Sequence, residues 1–596
     1  MSFIISIILI TILSSNLPAQ NEPLIQNPDG RHGLSLDGAW QIIIDPYDNG
    51  YYDYRYQPRG DGYFLNQKSR SESDLIEYDF DRSETLNVPG DWNSQQVKLF
   101  LYEGTIWYKK DFQYHQQPGH RLFLYFGAAN YAAQVYLNSQ KIGEHIGGFT
   151  PFNFEITDRI MDGNNFLIVR VNDQRRREGV PTLNTDWWNY GGLTRSVRLI
   201  ETPQTFIRDY FIQLKKNSRD TIQGWIQLDG NSLKQSLKVN IPAAGISQKV
   251  VTNEQGYAEF TFKGKLELWS PENPKLYDVE IAAKSDTVLD RIGFRTISCD
   301  GAKLLLNGSP IFLRGVSIHE QTPLREGRAC TAADDRRLLT WAKELGCNFV
   351  RLAHYPHNEP MLRLADEMGL MVWSEIPVYW TILFDNPEVY QNASRQLSEM
   401  LSRDKNRAAI IIWSVGNETP RGDARLEFLK GLIGQIREYD PTRLISAATE
   451  LNYSDNTIMI NDPLSNYLDV IGANEYLGWY VRKPEEIPLL AWKNTYAKPL
   501  IISEFGAGAK FGYHGKPITR WTEEYQNRVY ELQIEMLQKI PCLAGITPWI
   551  LTDFRSPRRP LPEIQDFWNR KGLISEKGEK KMAFYTLQKF YQQLQQ

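Results

Sequence analysis

Eight apolar, β-branched runs recur through the second half of the chain, each parted from the next by polar or helix-patterned sequence. They are IFLRGVSI (311–318), NFVRLAHY (348–355), LMVWSEI (370–376), AIIIWSVG (409–416), RLISAAT (443–449), DVIGANEY (469–476), LIISEFG (500–506) and LAGITPWI (543–550). Runs of this length that stay apolar on both faces read as strands of a parallel sheet covered by helices. In TAADDRRLLTWAKELG (331–346), Leu338, Leu339 and Ala342 recur at helical spacing and Gly346 supplies the stop. Eight such units within 299–596 predict a (β/α)₈ barrel, closed by MAFYTLQKFYQQL (582–594). The alternative is an open doubly wound sheet, but no GxGxxG follows any of the runs.

The texture before the barrel is different. From 24 to 205, short alternating runs such as RLFLYFGAAN (121–130) and NFLIVRVND (165–173) predict a jelly-roll-like β-sandwich. A second all-β segment, 206–298, has the length of an immunoglobulin-like sandwich without its Cys–Trp–Cys framework. The polar, aromatic stretch 51–85 reads as an insertion or surface loop, with the leaving-group side of a site as one expected position. At the start, an apolar run over 3–13 and a small residue, Ala19, fit a secretory signal over 1–19. That run is too short for the ~20 residues of a membrane span, so the expectation is export, periplasmic or secreted, with a mature start near Gln20.

Composition excludes some functions. The 67 Lys+Arg nearly balance the 71 Asp+Glu, which argues against a nucleic-acid binder. Four cysteines with no CxxC pair give neither a disulfide scaffold nor a zinc or redox site. His354 and His357 flank Pro356, which disfavours the helix that would turn both to one metal. Nothing in the sequence requires a metal or organic cofactor.

In a (β/α)₈ barrel the working groups project from the C-terminal ends of the strands. There the sequence places His319, Glu320, His354, Glu375, Asn417, Glu418, Asn474, Glu475, Tyr476, Glu504, Trp549 and Asp553. Glu418 and Glu504 stand out because each ends a long apolar run, where a carboxylate is costly unless paired or used. Either could instead pair with an arginine or cap a helix. Two carboxylates facing across a barrel mouth are also the apparatus of glycoside hydrolysis, one protonated to serve the leaving oxygen and one ionised to attack.

With GGFTPFNFEIT (147–157), DWWNYGGLTRSV (186–197), RLAHYP (351–356), WSVGNE (413–418), NEYLGWY (474–480), SEFGA (503–507) and NRKGLI (569–574), the chain resembles glycoside hydrolase family 2. That family includes β-galactosidases, β-glucuronidases and β-mannosidases. The resemblance implies a retaining mechanism, with Glu418 as acid/base and Glu504 as nucleophile, their carboxyl groups about 5–5.5 Å apart. It implies further that Asn417 bonds the sugar 2-hydroxyl, that Tyr476 sits by the nucleophile, and that His319, His354, Asn474 and Trp549 line the −1 subsite. Asp186 would reach in from the first sandwich. Asn569 and Lys571 resemble the Asn-x-Lys element with which β-glucuronidases hold the substrate carboxylate, and Arg558 and Arg559 add positive charge beside it. Ser317, Gln321 and Trp568 depart from the glucuronidase pattern. The implied partner is an oligosaccharide ending in a uronic acid, and a homo-oligomer stays open. A β-galactosidase or β-galacturonidase is the alternative within the family. A non-catalytic carbohydrate-binding protein on a hydrolase scaffold is the alternative of another class.

Overall fold

The computed structural model describes residues 23–74, 76–540 and 542–595; the expected leader, 1–19, lies outside them. No helix among the described residues is long and apolar enough to cross a membrane.

The first sandwich packs a four-stranded sheet (Gly33–Ser35, Val197–Pro203, His120–Phe126, Phe152–Glu155) on a six-stranded one. The six-stranded sheet is built around Thr105–Tyr114 and Gly163–Asn172. Trp40, Trp92, Leu122, Val135 and Leu199 fill the space between the sheets. The described residues of the 51–85 stretch pack on this sandwich. The stretch lies against the outer face of the larger sheet, where Tyr63 and Phe64 pack on Trp107 and Tyr136. Phe80, fully buried, and Tyr51 join the same cluster, so the aromatics of the stretch are what tie it there.

The second sandwich has three strands facing four. Its strand Thr221–Asp229 alternates buried and half-exposed positions without a break, as a strand with one face on a core must. The strand Ile297–Asp300 spans the 298/299 division and opens a small three-stranded sheet. Its Ile297, Leu304 and Leu306 join the core of the third domain.

That domain is a closed eight-stranded parallel barrel: β1 (Leu313–Ile318), β2 (Phe349–Leu352), β3 (Met371–Glu375), β4 (Ile410–Asn417), β5 (Leu444–Thr449), β6 (Ile471–Asn474), β7 (Leu500–Glu504) and β8 (Leu543–Ile546). Every predicted run supplies one strand. Helices α1 (Ala332–Leu345), α2 (Glu359–Met368), α3 (Pro387–Asp404), α4 (Asp423–Tyr439), α5 (Glu523–Leu537) and α6 (Met582–Gln593) cover it. The crossovers after β5 and β6 differ from the expected βα repeat. They carry 3₁₀ turns and share a small sheet of Asn452–Ser454, Thr457–Ile460 and Ala491–Asn494. Between β5 and β6 the sequence NYSDNTIMIND (452–462) is β-branched and polar, a poor helix former.

The first sandwich is locked onto the barrel through a buried cluster. Arg195 donates to Glu320 at 3.0 Å and Arg328 donates to the same carboxylate at 2.8 Å. The Phe149 ring stacks on Tyr355 with centroids 4.0 Å apart. This contact brings the 184–188 loop of the sandwich over the C-terminal rim of the barrel, where Ser556 and Asn569 bond Asp186.

Candidate active site

At that rim a cavity of about 300 Å³ is walled by Asp186, His354, Tyr379, Trp380, Glu418, Tyr476, Tyr480, Glu504, Trp549, Arg558, Arg559 and Lys571. The strands feeding it are irregular where they end. The β4–β5 register shifts between Ser414 and Asn417, and the β6–β7 register between Ala473 and Asn474. Such local shifts re-aim side chains that a regular ladder would send into the barrel or the helices. Glu418 and Trp380 both hold positive φ, 47° and 51°. Non-glycine residues in the left-handed region are uncommon and concentrate at functional sites.

Glu504 ends β7, with each oxygen engaged. Arg351 donates to Oε1 at 2.7 Å and the Tyr476 hydroxyl donates to Oε2 at 2.6 Å. An arginine is thus the partner that the ordinary reading of this glutamate required, yet the carboxylate still faces the cavity. Tyr476 remains a donor there: burial, then the charges of Glu504 and Glu418, push its hydroxyl well above the usual range. Arg351, fully buried on β2, also donates to Glu375 at 3.1 Å and to Asn417 Oδ1 at 2.7 Å. Burial would raise Glu375, but Arg351 and His354 outweigh it and bring the carboxyl to about 2. His354 bonds Glu375 through Nδ1 at 2.9 Å and stacks on Trp549, centroids 4.8 Å apart.

Glu418 follows β4 directly. Asn474 Nδ2 donates to its Oε1 at 2.9 Å and the Trp380 indole N–H to its Oε2 at 2.7 Å. Burial, with the charge of Glu504 second, pushes this carboxyl up to about 7. The two glutamates are linked through side chains alone, because Asn417 Oδ1 accepts from both Arg351 and Asn474. The Asn417 Nδ2 donor has no partner among the described residues. One carboxyl holding its proton near neutrality, beside a second fixed by a guanidinium, is a matched acid and nucleophile pair.

The cavity is also lined by cations. Lys571 is 4% exposed and its Nζ donates to the Tyr480 hydroxyl at 2.8 Å, over the rings of Tyr480 and Tyr476. Burial would raise Tyr480, but Lys571 and Arg559 outweigh it and lower its hydroxyl. Asp186 accepts from Ser556 at 2.5 Å, from Asn569 at 3.1 Å and from Arg559. Arg558 is exposed, lies over the Trp380 ring and bonds Asn184.

Four expected site residues sit one layer beneath the wall. His319 is packed between Trp549, His354 and Phe554, its Nδ1 within 3.2 Å of the Tyr355 hydroxyl. Burial holds it well below the usual histidine range. Asn417 and Asn474 lie under the glutamates. Asn569 stands behind Lys571, with Nδ2 spent on Asp186 and Oδ1 on the Lys571 backbone N–H. Asn569 therefore fixes two wall residues, where a direct hold on substrate was expected. Among the other strand-end polar residues, Glu320 joins Arg195 and Arg328, Glu475 bonds the Leu477 backbone and Gln533, and Asp553 pairs with Lys581. The departures from the glucuronidase pattern have local partners too. Gln321 accepts from the Arg555 backbone N–H at 3.0 Å, and Arg555 lies over the Trp568 ring.

Arg351, Tyr379, Trp380 and Tyr480 belong to the site although strand ends alone do not mark them. The signal for Arg351 was a lone cation inside the apolar NFVRLAHY run. Tyr480 closes the NEYLGWY motif, and nothing in spacing singles out Trp380.

Comparison with known proteins agrees with this architecture. Residues 34–203 match the sugar binding domain of glycosyl hydrolases family 2, 205–295 match a further domain described as glycosyl hydrolases family 2, and 297–596 match its TIM barrel domain. The β-glucuronidase of Rattus norvegicus is 28% identical over 93% of this chain and 90% of its own length. That of Felis catus is 30% identical, covering 85% of each. Among solved structures, a β-glucuronidase of an uncultured Clostridium sp. superimposes with a TM-score of 0.81 at 25% identity, over 97% of this chain and 99% of its own. With all three domains matched and the two glutamates facing one cavity, the chain belongs to glycosyl hydrolases family 2.

Proposed function

We propose that this chain is an exo-acting, retaining β-glucuronidase that removes terminal β-linked glucuronic acid from oligosaccharides. Glu418, neutral up to about pH 7, gives its proton to the glycosidic oxygen as the bond breaks. Glu504, aligned by Arg351 and Tyr476, attacks the anomeric carbon and forms a glycosyl ester. Glu418, now ionised, takes a proton from water, which cleaves the ester and restores the starting configuration. Asn417 Nδ2, unpartnered just beneath the two glutamates, is the donor available to the 2-hydroxyl as the oxocarbenium character develops. Trp549 offers an apolar floor to the sugar ring.

The observation that carries the glucuronide reading is Lys571. It is almost fully buried in the cavity wall, and no carboxylate of the described residues lies within 4.0 Å of it. A desolvated cation is costly without an anion; the rings of Tyr476 and Tyr480 offset part of that cost, and a C6 carboxylate would offset the rest. A C6 hydroxymethyl would not, which disfavours a galactoside. A galacturonide carries the same carboxylate and differs at C4, so it is the comparison that matters. The same reading takes the chain to be exported, on the apolar run over 3–13 and Ala19.

The test compares aryl β-glucuronide, β-galacturonide and β-galactoside, first with the wild type and then with Lys571→Ala. The expected order puts glucuronide first, and the variant should lose on the order of 100-fold in kcat/KM on it. A preference for galactoside, or a variant with full glucuronide activity, would refute the carboxylate clamp.

A further inference from the structure

Two cavity cations have no carboxylate partner among the described residues, and they stand behind different glutamates. Lys571 lies 5.3 Å from the centroid of Tyr476, whose hydroxyl bonds Glu504. Arg558 lies 4.9 Å from the centroid of Trp380, whose indole N–H bonds Glu418. Glu504 must meet the anomeric carbon, while Glu418 must meet the bridging oxygen that departs. Whatever is attached beyond that oxygen therefore lies on the Glu418 side. These contacts associate Lys571 with the nucleophile side and Arg558 with the acid/base side.

Arg559 cannot double for its neighbour, because Asp186 already neutralises it. Arg558 is exposed, and its side chain is steadied from two directions, by the Trp380 ring below and by Asn184 Oδ1 of the first sandwich. Asn184 engages one of five guanidinium N–H donors. What remains is a planar, oriented donor fork with no internal anion, the geometry that accepts two oxygens of a carboxylate or a sulfate ester.

Resting on the glucuronidase reading, we propose that Arg558, set by Trp380 and Asn184, is the specificity residue of the leaving-group subsite and selects glucuronides whose next sugar carries an anionic group. The substrate class is then an acidic oligosaccharide, with sulfate ester and carboxylate as the two sources of the charge.

The test uses three disaccharides with the same glucuronyl unit and linkage, whose second sugar is neutral, 6-O-sulfated or oxidised to a uronic acid. Wild-type kcat/KM should favour at least one anionic form over the neutral one by about 10-fold, and the advantage should shrink as salt rises. In Arg558→Ala the anionic-to-neutral ratio should fall to about 1, with Arg558→Lys between, since an ammonium keeps the charge but not the fork. Gain on the sulfated form alone, the uronic form alone or both identifies which oxyanion is read. A wild-type ratio near 1, or an equal loss on all three substrates in Arg558→Ala, overturns the proposal. If no glucuronide is cleaved while an aryl β-galactoside is, the glucuronide reading has failed instead, and the same ratios measured on galactosyl disaccharides still decide the role of Arg558.

Discussion

Arg351 holds Glu504, Glu375 and Asn417 with one guanidinium, from a site without solvent access. Replacing it by Met should leave two carboxylates uncompensated, and breaking a buried ion pair costs about 3–5 kcal/mol. The expected outcome for Arg351→Met is a lowered Tm together with a kcat loss of at least ~100-fold; Arg351→Lys should recover much of the stability and little of the kcat. Calorimetry and steady-state kinetics on the two variants separate those effects. Glu418 gives the pH dependence. Its folded-state pKa, about 7, lies above the 4.5 of an ordinary glutamate, so kcat/KM should fall as pH rises through 7 and the acid is lost. The same shift bears on stability. Between those two values the folded protein keeps a proton that the unfolded chain releases, so Glu418 destabilises the fold increasingly as pH rises. Glu418→Gln should therefore melt higher than wild type at pH 8, by an amount on the order of 3 kcal/mol at most, with the gap closing towards pH 4.5. A gap that grows on acidification would contradict the assignment.

The eight barrel strands were legible because each is buried on both faces and so had to be written in apolar, β-branched residues. The ends of β4 and β6 were not, since a register shift depends on how neighbouring strands pair and leaves no mark in either alone. That is why Glu418 and Glu504 could be picked as strand-end carboxylates while Trp380, which bonds Glu418 from the β3 loop, could not. The helix-poor crossover after β5 left a mark in NYSDNTIMIND, whose β-branched and polar residues are poor helix formers, but the repeat pattern of the other units hides it. The segment 51–85 was legible as a polar, aromatic surface insertion, but not which of its aromatics are buried. Tyr63 is 8% exposed and packs on Trp107 of the sandwich sheet, so the stretch is a cover for an apolar face. Replacing it by a short Gly-Ser link should uncover Trp107 and Tyr136 and lower Tm by several degrees, with KM for an aryl glucuronide within about 2-fold of wild type. A large change in KM would place the segment near the substrate after all.

Across the whole molecule, the site exists only because the first sandwich is fixed to the barrel. Asp186 comes from the sandwich, and Ser556, Arg559 and Asn569 hold it from the barrel side. Sequence motifs revealed both halves of that contact without revealing which residues face the cavity, because burial depth is a property of the assembled interface. The central claim is that Glu504 forms a covalent bond to glucuronic acid while Glu418 manages the proton. The most direct measurement is incubation with 2-deoxy-2-fluoro-β-D-glucuronyl fluoride, followed by mass mapping of the digested protein. A fluoroglucuronyl adduct that builds up on Glu504 is the predicted result. An adduct on another residue, or no adduct together with an α-configured first product from an ordinary β-glucuronide, would contradict it.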